Sequence, residues 1–305
     1  MEPVRVSHLH SFLRLAVDAF GFSQHGNRFF HTRRLNKPLH RESYQQKMDF
    51  MELNKKAWDK RTSVHFDSEM YDVDGFLDGK CSLKEIELSE MGDVRGMTLL
   101  HLQCHFGLDT LSWARKGAKV TGVDLSPEAI KKANELKTKA ELEGHFICSD
   151  VYDYENAASP VFDIVFASYG ALNWLPDLDG WARIVAKSLK VGGHLHLIEF
   201  HPAYDLHSGY SYFSQKEPDV EESGTYTENC SGKLAMVASW PHPLSEVVNA
   251  LIENGIAIDH LNEFPFRPYD CFDDVEEREK GRFYVKNQKH AVPLLYSLKG
   301  TKKSQ

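Results

Sequence analysis

The stretch Leu99–Asp124, LLHLQCHFGLDTLSWARKGAKVTGVD, decides the fold. Leu99, Leu100 and Leu102 make a short apolar run of the kind found in a strand buried on both faces. Gly107 marks a tight turn, and Asp109 or Thr110 is placed to cap the helix that follows. That helix carries Leu108, Leu111, Trp113 and Ala114 and stops at Gly117. A second strand runs from Lys119 to Val123, with Asp124 at its carboxyl end. Strand, turn, helix, strand and terminal acid form a βαβ nucleotide-binding unit, in which the acid meets ribose hydroxyls. The turn is short of glycine: Gln103 and His105 stand where such loops place it, and a Cβ at either position is expected to restrict both the turn and the approach of a ligand.

The pattern continues outward. Ser126-Pro127-Glu128 is a helix start, with Ser as cap and Pro at the first helical position, and the helix is predicted to reach Glu143. Strands follow at His145–Cys148, closed by Asp150, and at Phe162–Ala167, followed by the loop Ser168, Tyr169, Gly170. A helix over Leu178–Leu189, a Gly192-Gly193 turn and a strand over His194–Phe200 come next. Strands alternating with helices predict a doubly wound α/β fold with a mostly parallel sheet. Ligands of such sheets bind at the carboxyl ends of the strands, so Cys104 to Gly107, Asp124, Asp150, Ser168 to Gly170 and Glu199 to His201 are expected to converge.

Five domain segments follow. Residues 1–47 hold eight Lys/Arg against three Asp/Glu and five of the sixteen histidines, and are read as an extension outside the core, loosely like an organellar transit peptide or lying upstream of a start at Met48 or Met51. Residues 48–95 are an N-terminal helical segment in which Trp58, His65 and Tyr71 could close as a lid. Residues 96–200 are the nucleotide-binding core. Residues 201–240, rich in Tyr, Ser, Gly and Glu, break the alternation and are read as an insertion with short strands near Tyr210–Phe213 and Lys233–Trp240. Residues 241–305 resume the core through a helix over Leu244–Asn254 and strands over Ile256–Leu261 and Pro293–Lys299. The aromatic segments 204–213 and 264–284 suit either an apolar substrate pocket or a homodimer surface.

Composition narrows the function. Of 305 residues, 42% are hydrophobic, enough for a large core, and no run approaches the ~18 apolar residues of a membrane span. The net charge of -8 argues against nucleic-acid partners. Five cysteines, odd in number and without a CxxC pair, read as reduced thiols of a cytoplasmic protein. His194 and His196 share one strand face, but that face should meet packed helices, so no metal is expected.

The residues from Leu99 to about Glu199 resemble the class I S-adenosylmethionine-dependent methyltransferases, above all bacterial small-molecule methyltransferases carrying the loop LHLQCHFGLDTLSWAR. The resemblance implies a Rossmann-like sheet of seven strands whose last strand, PLLYSLKG, inserts antiparallel, with the insertion after the fifth strand covering the acceptor. It implies cofactor contacts from Leu102, Gln103, Cys104, His105 and Gly107, a ribose contact from Asp124 with Leu125 beside the adenine, and an adenine contact from Asp150 with Val151 next to it. It places Ser168, Tyr169 and Gly170 against the methionine part of S-adenosyl-L-methionine. An acid usually stands where this chain has His101, and its charge is missing here. His201 and Glu199, at the end of the fifth strand, are candidates for a general base acting on a small-molecule acceptor. Two alternatives remain: a non-catalytic nucleoside-binding protein that keeps the fold, and a nicotinamide-dependent oxidoreductase, for which the loop lacks two glycines.

Overall fold

The structure, a computed structural model, describes residues 49–154, 161–207, 209–230, 232–270 and 274–304. The readings made for residues 1–47 lie outside them.

In chain order the elements are α1 (Phe50–Phe66), α2 (Val73–Leu77), α3 (Glu85–Met91), β1 (Thr98–Leu102), α4 (Leu108–Arg115), β2 (Lys119–Asp124), α5 (Pro127–Lys139), β3 (His145–Cys148) and β4 (Phe162–Ser168). Then come α6 (Leu178–Ser188), β5 (Leu189–Phe200), α7 (Pro202–His207), β6 (Asp219–Ser223), β7 (Ala235–Ser239), α8 (Leu244–Glu253), β8 (Ile256–Phe264), β9 (Val275–Glu279), β10 (Arg282–Val285) and β11 (Leu295–Lys302).

Seven strands form one sheet in the order β3-β2-β1-β4-β5-β11-β8, and β11 runs antiparallel to both β5 and β8. The order reverses between β1 and β4, so a crevice opens where their carboxyl ends diverge. One face of the sheet packs Leu100, Leu102, Val165 and Leu197 against Trp181 and Val185 of α6 and Leu251 of α8. The other packs Leu99, Ile164, Phe166 and Ile198 against Ile86 of α3 and Trp113 of α4.

Local chemistry sets the helix starts. Ser126 Oγ accepts from Ala129 N at 3.0 Å and Pro127 occupies the first turn, as expected. The helix ends at Lys139, a turn earlier than the predicted Glu143. Neither Asp109 nor Thr110 caps α4: Gly107, at φ 78°, is the cap residue, which leaves Asp109 inside the first turn. Gly192 and Gly193 do not end an element. They lie within β5, where the pairing slips from Phe162–Leu189 to Ile164–His194 and the extra residues bulge out.

Of the two strands expected in the insertion, the one near Lys233–Trp240 is β7 (Ala235–Ser239), and the other is absent. Tyr210–Phe213 is not a strand; β6 pairs antiparallel with β7 instead. This hairpin is fastened to α1. The buried Asn54 amide donates to Ala238 O at 2.8 Å and accepts from Ala238 N at 2.9 Å, satisfying a strand that has no sheet neighbour on that side. Arg61 donates to Ser223 Oγ and Gly224 O, with its guanidinium over the rings of Trp58 and Trp174. A second hairpin, β9–β10, is tied to α3 by Arg282 and Glu85 at 2.9 Å.

Candidate active site

A cavity of about 580 Å³ opens at the carboxyl ends of β1, β2 and β4. Of the candidate cofactor residues, Gln103, Cys104, His105, Gly107, Asp124, Leu125, Asp150, Val151, Ser168, Tyr169 and Gly170 line it. Leu102 does not; it is fully buried in the core beneath.

The loop after β1 keeps the backbone of a glycine loop without the glycines. Gln103 lies at φ 56°, His105 at φ 52° and Gly107 at φ 78°, all left-handed. For a residue with a Cβ this costs roughly 1–2 kcal/mol. The expected restriction of the turn is therefore overcome, and the two side chains supply the compensation. Gln103 Nε2 donates to Ala171 O at 2.6 Å, clasping the β1 loop to the β4 loop. The His105 ring meets His65 Nδ1 at 2.8 Å, and His65 in turn bonds Thr225 Oγ1 of the insertion. At Gly107 no such exchange is open: a Cβ would stand 2.6 Å from the Phe146 ring. Gly107→Ala is expected to cost at least about 2 kcal/mol of stability, read as a lowered midpoint in urea denaturation.

The loop delivers His105 N–H to Asp124 Oδ2 at 2.8 Å, while Ser126 N–H reaches Oδ1 at 2.9 Å. Each oxygen retains acceptor capacity toward the cavity. Burial pushes the Asp124 carboxyl up to about 6. Asp150 accepts from Tyr152 N at 2.9 Å and is also raised by burial. His101 bonds Thr110 Oγ1 at 2.8 Å, and burial holds its ring at about 3, so it lines the cavity as a neutral group.

The two candidate bases are elsewhere. Glu199 is 3% exposed and does not line the cavity. Its carboxylate accepts from Gly170 N, from Ala171 N at 2.8 Å, Leu172 N at 3.0 Å and Phe200 N at 2.7 Å, so it holds the β4 loop in place. His201 is also outside: Nδ1 accepts from Ala203 N, so Nε2–H donates to Glu263 at 2.8 Å. Both ring nitrogens are committed. His194 and His196 lie on β5 with ring centroids 5.8 Å apart, away from the cavity.

Several lining residues carry no sequence signal of their role. Of the lid candidates Trp58, His65 and Tyr71, Trp58 and Tyr71 line the cavity and His65 does not, its ring bonding that of His105; Asn54, Asn173, Trp174 and Tyr226 join the lining from α1, the β4 loop and the insertion. From the aromatic segments 204–213 and 264–284, Tyr269 alone lines the cavity among the described residues. Ser82, Lys84 and Asp109 form its far wall.

The comparisons with known proteins agree on the core. Residues 100–197 match a methyltransferase domain. A ubiquinone biosynthesis O-methyltransferase of Xanthomonas oryzae is 31% identical over 130 residues, covering 42% of this chain and 54% of that protein. Its counterpart in Proteus mirabilis is 27% identical over 154 residues, covering 45% and 62%. The chain thus spans little more than half the length of these relatives. An S-adenosylmethionine-dependent methyltransferase structure from Clostridium acetobutylicum shares the fold at a TM-score of 0.51, with 14% identity, 82% of this chain and 99% of that chain covered. The sheet is the Rossmann-like methyltransferase fold.

Proposed function

We propose that this chain is an S-adenosylmethionine-dependent methyltransferase acting on a small-molecule acceptor. The observation that carries the reading is Asp124, held at the end of β2 by two backbone N–H groups with acceptor capacity left toward a cavity. Two vicinal hydroxyls fit two carboxylate oxygens. The left-handed loop keeps Cβ atoms from blocking close approach, and Gln103 Oε1 and His105 Nδ1 are buried lining atoms without partners among the described residues. These features fit the cofactor.

Bound there, S-adenosylmethionine supplies a sulfonium methyl whose leaving group is a neutral thioether. Asp124 holds the ribose, Leu125, Asp150 and Val151 hold the adenine, and the β4 loop Ser168–Gly170 borders the methionine side. Trp58, Tyr71 and Tyr226 line the cavity and give it an aromatic wall. Tyr169 keeps its hydroxyl proton on Glu87 Oε2 at 2.8 Å. Such transfer needs in-line positioning more than acid catalysis, and orientation supplies much of its rate. Free thiols at Cys81, Cys104, Cys148 and Cys230 support a reducing, cytoplasmic setting.

Calorimetry tests the reading. S-adenosylhomocysteine should bind and NADH should not, because Asp109, Asp124 and Asp150 line the cavity where a pyrophosphate would need donors. NADH binding without the thioether would overturn it. The affinity should also depend on pH. Asp124 is raised to about 6, so it gains a proton below that pH and loses an acceptor for the ribose. Binding should weaken about tenfold between pH 7.5 and pH 5. A flat profile would exclude Asp124 as the ribose ligand.

A further inference from the structure

A second cavity, of about 350 Å³, lies between the carboxyl-terminal half of α1 and the connection from β6 to β7, apart from the one at the strand ends. Three cations line it, Lys60 and Arg61 from α1 and Lys233 from the connection, and among the described residues no acid does. In a chain of net charge -8 this is a local reversal of sign. Lys55 and Lys56, on the preceding turn of α1, pair with Glu52, whereas Lys60, Arg61 and Lys233 form no ion pair among the described residues. Arg61 is 8% exposed. Its Nη2 donates to two neutral acceptors, Ser223 Oγ at 3.0 Å and Gly224 O at 2.9 Å, and its Nε is buried without a partner among the described residues. Burial draws the guanidinium below its ordinary value, against the pull of Tyr226, Glu221 and Tyr71; the carboxylate among these, Glu221, accepts from Tyr210 Oη at 3.0 Å. A buried charge without a counter-ion is costly. The rest of the lining is hydroxyl, from Ser63 and Thr225, and apolar, with Leu234 46% exposed.

The structure assigns this second cavity to a small-molecule oxyanion, a carboxylate or a phosphate ester on an apolar body, bound outside the active site. Ammonium and guanidinium groups take either anion through charge-assisted hydrogen bonds, and the Ser63 and Thr225 hydroxyls add donors. Leu234 and Val64 give the apolar body a surface to cover. The volume sits at the lower end of ligand pockets, which suits a small molecule. The site also adjoins the active-site wall. Thr225 Oγ1 bonds His65 Nε2, His65 Nδ1 meets His105 Nε2 at 2.8 Å, and His105 lines the active-site cavity. The Arg61 guanidinium lies over Trp58 and Trp174, which line that cavity too. An oxyanion that engages Thr225 or Arg61 therefore acts on groups that shape the active site, and its occupancy is linked to cofactor affinity. The link rests on the methyltransferase reading; the site does not.

Calorimetry with phenyl phosphate, phenylacetate and the neutral benzyl alcohol tests the site. At least one anion should bind about tenfold or more tightly than the alcohol, and the tighter of the two identifies the headgroup. The double variant Lys60→Gln/Lys233→Gln should weaken that anion roughly tenfold and leave the alcohol unchanged. Both lysines are exposed and neither lines the active-site cavity, so the variant should melt as the native protein does, and dependence on it places the anion in the second cavity. Arg61→Met, which also removes the bonds to Ser223 and Gly224, should abolish the preference for the anion, and the lysine variant keeps the test decisive if that protein does not fold. Neither anion exceeding the alcohol, or binding indifferent to Lys60 and Lys233, would overturn the site. The link is read from S-adenosylhomocysteine affinity with and without a saturating anion. A shift of about threefold or more is expected in the native protein and none in the lysine variant; equal affinities in the native protein would overturn the link. Anion binding that depends on Lys60 and Lys233 in a protein that takes no S-adenosylhomocysteine would keep the site and overturn the methyltransferase reading.

Discussion

Asp124→Ala is expected to weaken S-adenosylhomocysteine binding by at least about a hundredfold while the protein stays folded. Hydrogen bonds to a charged partner contribute about 1.5–3 kcal/mol each, and the proposed function places two ribose hydroxyls on this carboxylate. Their joint loss corresponds to two or more orders of magnitude in Kd, by roughly 1.4 kcal/mol per decade. Stability should change little, because two effects oppose each other. Removing the carboxylate leaves His105 N–H and Ser126 N–H without their acceptor; His105 borders the cavity, where water can replace it, while Ser126 is buried, which confines the cost to one donor. It also removes a charged group whose burial is unfavourable, as the rise to about 6 records. Asp124→Asn should bind about tenfold better than the alanine variant, since one oxygen survives. Calorimetry beside a thermal melt measures both quantities. An alanine variant that binds as the native protein does would remove Asp124 from the site.

Much of the site could be read from the chain because it lies at strand ends. Apolar runs at Leu99–Leu102, Lys119–Val123 and Phe162–Ala167 separated by helices require a parallel sheet, and a parallel sheet gathers Gln103, Asp124, Asp150 and Ser168 at one edge. That inference needs only periodicity and the handedness of crossovers. The left-handed backbone at Gln103 and His105 was not legible, because it depends on bonds to Ala171 and His65, far away in sequence. Trp174, Tyr226 and Asn54 escaped for the same reason: what brings them to the cavity is the pairing of α1 with the β6–β7 hairpin, through one amide and one guanidinium. Asp109 looked like a helix cap. Whether an acid caps a helix or lines a cavity turns on two residues of offset at the helix start, which composition does not fix.

The alternation at the end of β5 was misleading in another way. Glu199 and His201 stand at a carboxyl edge where bases are found, and each has a second use that only the register of β4 against β5 reveals. Ser168 pairs with Ile198, so the turn that follows β4 passes directly over the Glu199 side chain. A turn at this position leaves its N–H groups without strand partners, and a carboxylate is the one side chain that can take several of them together.

Glu199→Ala is therefore expected to be among the most destabilising single changes in the chain. Four backbone N–H groups, on Gly170, Ala171, Leu172 and Phe200, lose their acceptor. Ala171 is 5% exposed and Leu172 1%, so water does not reach them freely. An unsatisfied buried donor costs about 1–3 kcal/mol, which puts the total above about 3 kcal/mol even after local rearrangement. Because this turn also carries Tyr169 and accepts the Gln103 clasp at Ala171 O, the cavity should loosen with it, and S-adenosylhomocysteine affinity should fall in parallel with the urea midpoint. Glu199→Gln separates this role from catalysis. A glutamine keeps one acceptor oxygen but turns an NH₂ toward donors, so it should lose stability by an intermediate amount, with activity following the folded fraction. A general base replaced by glutamine would instead leave the melting temperature and the binding intact while abolishing turnover. That pattern would return Glu199 to the reacting centre and refute its assignment as the anchor of the β4 loop.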